Sequence, residues 1–174
     1  MPILAQRSPQ SAPARVALVS VGPMDPREVA EEGRRLSGME YIQAIVTGEL
    51  PAPPISELMG FRLVLAEPGR AVFEMEPGPQ HYNPIGSVHG GVALTLLDSA
   101  MGCAVHTQLE RGVGYTTLEV KTNFVRPITA DTGVIRCEGI VIHQGSRIAT
   151  AEGKLTDRSG KLLAHGTTTC LILQ

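Results

Sequence analysis

The order of apolar and polar positions divides the chain into an irregular start, a short helical region and a strand-rich remainder. Up to about Pro26 the chain is rich in Pro, Ser and Ala and has no sustained period, so this part is predicted to be unstructured. Asp25 before Pro26 predicts the start of a first helix. A second short helix is predicted through MEYIQAIVTGEL, closing near Gly48, and a Pro-rich bend then leads to a helical turn that ends at Gly60.

After Gly60 the hydrophobic period becomes two, which is typical of strands. The segments FRLVLAE and RAVFEME predict two strands joined by Pro68-Gly69. Four more strands are predicted in TTLEVKTNFVRP, GVIRCEGIVIHQG, SRIATAEGKLTD and KLLAHGTTTCLIL. In the first of these four, alternation places Leu118 and Val120 on one face, with Thr122 and Phe124. The last two strands are separated by a tight hairpin signal at 157–160.

Between the two groups of strands, residues 89–109 are predicted to form one long helix that is hydrophobic nearly all round. Such a helix is buried on several sides. Because no helix separates the last four strands, they are predicted to pair as an antiparallel meander that curls around this helix, an α+β architecture. The sheet alone cannot cover the whole helix, so we expect a second copy of the chain to complete the cover, giving at least a dimer.

Composition excludes several classes of partner. The 174 residues suit one domain, with 43% hydrophobic and 18% charged residues. A net charge of −2 with no basic run, and 3% aromatic residues with no Trp, argue against nucleic-acid binding. Three widely spaced cysteines without a CxxC pair suit a reducing, cytoplasmic location. The apolar run at 90–105 is too short for a membrane span and contains Asp98.

The segment NPIGSVHGGVALTLLDSAMGCAV (83–105) carries the candidate chemistry. Gly90 and Gly91 open the long helix, where unpaired backbone N–H groups and the helix dipole suit a carbonyl oxygen that becomes an oxyanion. Asp98 lies eight residues after Gly90, which is about 12 Å along the axis. One chain therefore cannot bring both to the same carbon, and we expect them to cooperate across two subunits. Alternatively, Asp98 is a buried structural acid.

Other chemistries lack their motifs. There is no G-x-S-x-G nucleophile elbow and no P-loop. A metal site built from His81, His89 and Asp98 is conceivable, but the spacing matches no strong ligand pattern, so neither a metal nor a cofactor is expected.

Three segments resemble a known family: NPIGSVHGGVALTLLD (83–98), TTLEVKTNFVRP (116–127) and G-x-x-x-A-x-G-T-T-T (160–169). They are similar to the hotdog-fold acyl-CoA thioesterases of the phenylacetate-degradation and 4-hydroxybenzoyl-CoA thioesterase-like group. The resemblance covers residues 39–174, the predicted domain, and leaves residues 1–38 as an N-terminal extension, partly disordered or a short helix.

The resemblance implies a hotdog fold, a homodimer with interfacial sites, often paired into a homotetramer, and hydrolysis of acyl-CoA without metal or prosthetic group. Asp98 then matches the carboxylate that attacks the thioester or activates a water, and Gly90 the residue whose backbone N–H polarises the carbonyl. His89 and Asn83 match positions that organise the loop and help to place the thioester or the water. Thr116 matches a hydroxyl that orients the water, with Thr117 as the alternative one position on.

Two matters stay open at this level. Arg126, Arg147 and Lys154 are candidates for contact with the CoA phosphates, although charges at strand ends and rims are usually solvated. A non-catalytic hotdog protein that binds acyl-CoA as a sensor or carrier is the competing function, and a hotdog dehydratase would need an Asp/His motif that the sequence lacks. The acyl group is not specified.

Overall fold

Three short helices precede the sheet in the computed structural model, which describes residues 25–173. They are α1 (Pro26–Gly33), α2 (Gly38–Thr47) and α3 (Pro54–Met59). The Asp25 carboxylate accepts the Arg27 N–H at 2.8 Å, so the predicted cap of the first helix is confirmed. Gly48 and Gly60 end α2 and α3 with φ of 79° and 70°, conformations that favour glycine.

The strands of the described region form one antiparallel sheet. They are β1 (Phe61–Glu67), β2 (Arg70–Met75), β3 (Gly114–Phe124), β4 (Ile135–Gln144), β5 (Ile148–Asp157) and β6 (Leu162–Leu173). Their order across the sheet is β1-β2-β4-β5-β6-β3, and every neighbouring pair is antiparallel. The predicted fold class is confirmed: a curved antiparallel sheet wraps one long helix.

That helix, α4 (Gly90–His106), contacts all six strands. Its buried residues are mostly small or aliphatic, among them Leu96, Leu97, Ala100 and Met101. Glycine on the sheet permits the close approach: a Cβ at Gly139 of β4 would lie 2.3 Å from the Ala100 carbonyl. The helix and sheet therefore pack backbone to backbone at this point.

One stripe of α4 is left uncovered by the sheet. Leu94 is 37% exposed, and Gly91, Thr95 and Asp98, on the same helical face, are only partly buried. We call these four residues the uncovered stripe. The expectation that the sheet alone cannot cover the helix is therefore confirmed.

The simple alternation predicted for β3 is wrong at Leu118. The pairing of β3 with β6 shifts between Thr117 and Glu119, which leaves Leu118 as the extra residue of a bulge. Leu118 is 55% exposed, whereas Val120 packs against the core. The bulge thus puts Thr117, rather than Leu118, on the helix side of the strand.

The N-terminal end of the described region packs against the rest of the molecule. A Cβ at Gly33 would meet the Tyr41 ring at 2.6 Å, so α1 and α2 are in close contact. The division of the chain at residue 38 stays a prediction, and the stretch expected to be unstructured lies almost wholly outside the described residues. None of the helices within 25–173 is both long enough and apolar enough to cross a membrane.

Candidate active site

The loop before α4 is organised by Asn83. Its Oδ1 accepts the Ile85 and Ser87 N–H groups at 3.1 and 3.2 Å, and its Nδ2 donates to the Ser87 Oγ at 3.1 Å. These bonds close the turn around Gly86, whose φ is +84°. The Asn83 side chain is therefore used within the loop.

His89 caps α4 and determines which backbone N–H group at the start of the helix is left without a hydrogen-bond partner. Its Nδ1 accepts the Gly91 N–H at 2.9 Å, so the neutral ring carries its proton on Nε2. Its own backbone N–H donates to the His81 carbonyl at 2.7 Å. Gly90 is the first helical residue, and none of the hydrogen bonds recorded for residues 25–173 uses its backbone N–H. The free donor at this helix start thus belongs to Gly90.

His81 has a structural place in the same region. The side chain is 7% exposed, its Nδ1 accepts the Gly78 N–H at 2.9 Å and its Nε2 lies 3.1 Å from the Met59 carbonyl. Both ring nitrogens are engaged in holding the backbone, so His81 is not available as a ligand with His89 and Asp98.

Asp98 lies half-buried on the uncovered stripe, where a hydroxyl from β3 reaches it. The Thr117 Oγ1 donates to the Asp98 Oδ1 at 3.0 Å. Thr116 is exposed and points to the other face of β3. Within the described part of the chain, this is the one hydrogen bond to the Asp98 side chain, so Oδ2 has no protein donor.

The surroundings of Asp98 keep neighbouring groups neutral. Burial raises the pKa of the Cys103 thiol to about 12, with the Asp98 charge as a second cause. Burial also raises the pKa of Tyr115 well above its ordinary value, and the Asp98 charge contributes again. A carboxylate in such surroundings interacts strongly with any charge that develops beside it.

The structure therefore gathers the sequence-predicted residues into two separate groups. Asn83, His89 and Gly90 form the loop half-site at the start of α4, and Asp98 with Thr117 forms the carboxylate half-site. The helix is continuous between them, so they stay about 12 Å apart in one chain. The loop half-site can polarise a carbonyl, and the carboxylate half-site can attack or activate a nucleophile.

A cavity of about 320 Å³ adjoins the loop half-site. Its walls include Asn83, Gly90, Phe124 and Arg126. A second, open cavity of about 530 Å³ shares Arg126 and contains Lys161, together with the carboxylates of Asp131 and Asp157.

Of the three cations singled out in the sequence, only Arg126 lies on these two cavities, and its guanidinium donates to the Leu162 carbonyl. Arg147 is exposed in the turn between β4 and β5, and Lys154 is exposed on β5. Lys161 lies between β5 and β6 and lines the second cavity, and its local sequence does not single it out as a cavity residue.

Comparison with known proteins gives a consistent result. Residues 85–164 match the family model of the thioesterase superfamily. The human protein named acyl-coenzyme A thioesterase 13 is 32% identical over 105 residues, covering 60% of this chain and 74% of that protein. The 1,4-dihydroxy-2-naphthoyl-CoA hydrolase of Listeria monocytogenes is 28% identical over 109 residues, covering 63% and 87%.

Among solved structures, a phenylacetic acid degradation-related protein from Ralstonia eutropha superimposes with a TM-score of 0.69. It is 28% identical, and the match covers 75% of this chain and 98% of that one. The curved sheet around one helix is the architecture of the hotdog thioesterases. The segment that matches the family model includes His89, Gly90, Asp98 and Thr117. The chain belongs to the thioesterase superfamily and is a thioester hydrolase.

Proposed function

We propose that the chain hydrolyses acyl-CoA thioesters in a dimer, with the loop half-site of one subunit facing the carboxylate half-site of the other. The observation that carries the proposal is the position of Asp98, on the one stripe of α4 that the sheet leaves uncovered. Two such helices packed antiparallel along these stripes bring each Gly90 near the other subunit's Asp98. The names of the human and Listeria relatives support acyl-CoA as the substrate.

In this arrangement each residue has a defined task. The Gly90 N–H donates to the thioester oxygen and stabilises the negative charge that forms there. Thr117 holds one oxygen of Asp98 and leaves the other free to act. His89 and Asn83 act through the loop. The His89 ring accepts the hydrogen bond of the Gly91 N–H, and Asn83 maintains the turn that leads into the helix.

Two routes use the same geometry. Asp98 as general base takes a proton from water, the hydroxide adds to the carbonyl, and the C–S bond breaks as the CoA thiolate leaves and takes up that proton. Asp98 as nucleophile expels the CoA thiolate directly and forms a mixed anhydride, which water then cleaves. A single turnover in ¹⁸O-water distinguishes them, because only the nucleophilic route can place the label in the Asp98 carboxylate.

The decisive experiment compares Asp98→Asn with Asp25→Asn. Both remove one carboxylate charge, but Asp25 caps α1, a task that Asn performs equally well. Released CoA is followed with a thiol reagent over a panel of acyl-CoAs, and the mass of the assembly is measured by light scattering.

We expect both variants to remain dimeric. Asp98→Asn should lose activity by orders of magnitude while Asp25→Asn keeps it. Near-full activity of Asp98→Asn on a good substrate would contradict the mechanism, and a monomeric active protein would contradict the shared site. Tight binding without thiol release in the wild type would indicate a sensor or carrier instead. A tetramer formed by two dimers stays a prediction from the family resemblance.

A further inference from the structure

The bulge of β3 at Leu118 is held in place from β6. The Thr168 Oγ1 donates to the Glu119 carbonyl, directly after the bulge, at 2.7 Å. The neighbouring Thr169 Oγ1 donates to the Glu119 carboxylate at 2.8 Å. Thr168 is 2% exposed, whereas the Thr169 bond lies at the surface, where water competes for both of its groups. Thr168 therefore holds the backbone of the bulge from inside the protein.

The side-chain pattern of β3 favours a different arrangement from the one observed. Val120 packs against the core, and strict alternation from Val120 would point Leu118 at α4 and Thr117 at the outer face. That arrangement would bury the Leu118 side chain, which is now 55% exposed, and the hydrophobic effect favours such burial. It would also move the Thr117 hydroxyl away from Asp98. The bulge therefore depends on specific contacts that outweigh the burial of Leu118.

A buried thiol connects the contact at the bulge with the carboxylate half-site. Cys170 pairs with Thr117 across the two strands and lies two residues after Thr168 on the same face of β6. Burial raises the pKa of the Cys170 thiol more than hydrogen bonding with the hydroxyls of Thr117 and Thr168 lowers it. Both hydroxyl protons are already donated elsewhere, to Asp98 and to the Glu119 carbonyl, so the protonated thiol is the donor between them.

We propose that Thr168 is a positioning residue of the hydrolysis: its hydroxyl fixes the bulge of β3 and thereby keeps the Thr117 hydroxyl on Asp98. This role rests on the proposed action of Asp98 on the thioester. Within residues 25–173 no hydrogen bond joins Thr168 to Asp98, so its influence passes through the backbone at Glu119 and through Cys170. Thr168 should accordingly affect the rate of turnover and leave the binding of acyl-CoA unchanged.

The first test compares three substitutions on β6 by steady-state kinetics on an acyl-CoA that the wild type hydrolyses. Thr168→Val removes the hydroxyl and keeps the branched shape, Thr168→Ser keeps the hydroxyl, and Thr167→Val removes a hydroxyl from the exposed face of the strand. We expect Thr168→Val to lower kcat about three- to tenfold at unchanged KM. Thr168→Ser and Thr167→Val should keep a kcat near that of the wild type. Wild-type kcat in Thr168→Val would overturn the inference.

A double-mutant cycle separates positioning from a general loss of stability. If Thr168 acts through Thr117, Thr168→Val should lower kcat in the wild type but not in Thr117→Val, where the hydroxyl that it positions is already missing. An equal factor in both backgrounds would mean that Thr168 affects the rate independently of Thr117, which contradicts the positioning role. Circular dichroism and light scattering verify that each variant keeps its fold and assembly.

Deletion of Leu118 gives an independent test, because it removes the need for the bulge. Thr117, Glu119 and Val120 already pair with three successive residues of β6, so the shortened strand keeps the same pairing. Thr117 and Val120 then lie two positions apart and share the face toward α4 by simple alternation. The deletion variant should therefore hydrolyse acyl-CoA, and Thr168→Val in this background should leave kcat unchanged. A loss of kcat as large as that in the chain with Leu118 would overturn the inference.

The proposed function and this inference fail in different ways. Absence of thiol release from every acyl-CoA, or full activity of Asp98→Asn, refutes the proposed function and the inference with it. Loss of activity in Asp98→Asn together with wild-type kcat in Thr168→Val overturns only the inference.

Discussion

Replacing Gly90 with proline removes one atom group from the proposed site, the backbone N–H that would polarise the thioester. Position N1 of a helix tolerates proline well, because its N–H has no partner within the helix. The preceding residue, His89, has φ −61° and ψ 135°, the extended conformation that proline requires before it. Gly90 is not among the glycines with positive φ. The backbone therefore accepts the substitution.

The side-chain cost of this substitution can be controlled. A Cβ at position 90 would lie 3.0 Å from the end of the Phe124 ring, and Phe124 is 58% exposed, so the ring can shift. Gly90→Ala introduces the same Cβ and keeps the N–H. The two variants therefore differ in the donor and in the proline ring carbons that replace it, and losing one oxyanion donor costs about 10²–10³ in kcat, roughly 3–4 kcal/mol.

The assay is thiol release at saturating acyl-CoA, with circular dichroism and light scattering to confirm that fold and assembly are kept. We expect Gly90→Pro to lose about 10²–10³ in kcat relative to Gly90→Ala. Equal losses in both variants would attribute the effect to the Phe124 contact. Full activity of Gly90→Pro would refute the role of this donor.

Three further predictions concern groups around the site. Thr117→Val should lower kcat about tenfold or more because Asp98 loses its charge-assisted hydrogen bond, while Thr117→Ser keeps it; equal kcat in both variants would contradict a positioning role. The Cys103 thiol is only partly buried, but its pKa is raised to about 12, so about one part in 10⁴ should be thiolate at pH 8 and it should react with a thiol reagent far more slowly in the native than in the unfolded protein. Equally fast labelling of the native and the unfolded protein at this residue, read by peptide mass, would contradict the raised pKa. Burial lowers the pKa of His106 in the folded protein. As the pH falls below about 6.5, His106 therefore takes up a proton in the unfolded chain before it does so in the folded protein, and this favours unfolding. Stability to urea should therefore fall between about pH 7.5 and pH 5.5, less so in His106→Asn, whereas the exposed-residue control His143→Asn should behave as the wild type.

Much of the fold followed from local patterns in the sequence. Asp25 before Pro26 predicts a capped helix, and the hairpin signal that ends at Gly160 predicts a turn; both form as predicted because caps and turns depend on a few neighbouring residues. The apolar character of α4 and the period-two pattern of the strands around it indicate the architecture, because each pattern predicts which faces of the helix and of the strands are buried.

The details of the site depended on contacts between distant segments. A bulge at Leu118 decides that Thr117, and not Thr116, reaches Asp98. Alternation along one strand cannot show this, because a bulge is defined by the partner strand.

Likewise, the sequence by itself placed a glycine pair and a carboxylate eight residues apart on one helix, and helix geometry alone separated them. Only the tertiary structure showed that the His89 ring accepts the hydrogen bond of the Gly91 N–H, so that the Gly90 N–H is left without a partner. It also showed that residues of α1 and α2 line a cavity together with Tyr115. These features arise from side-chain rotamers and from packing between segments far apart in the chain. The hydrophobic periodicity of a single segment cannot predict either of them.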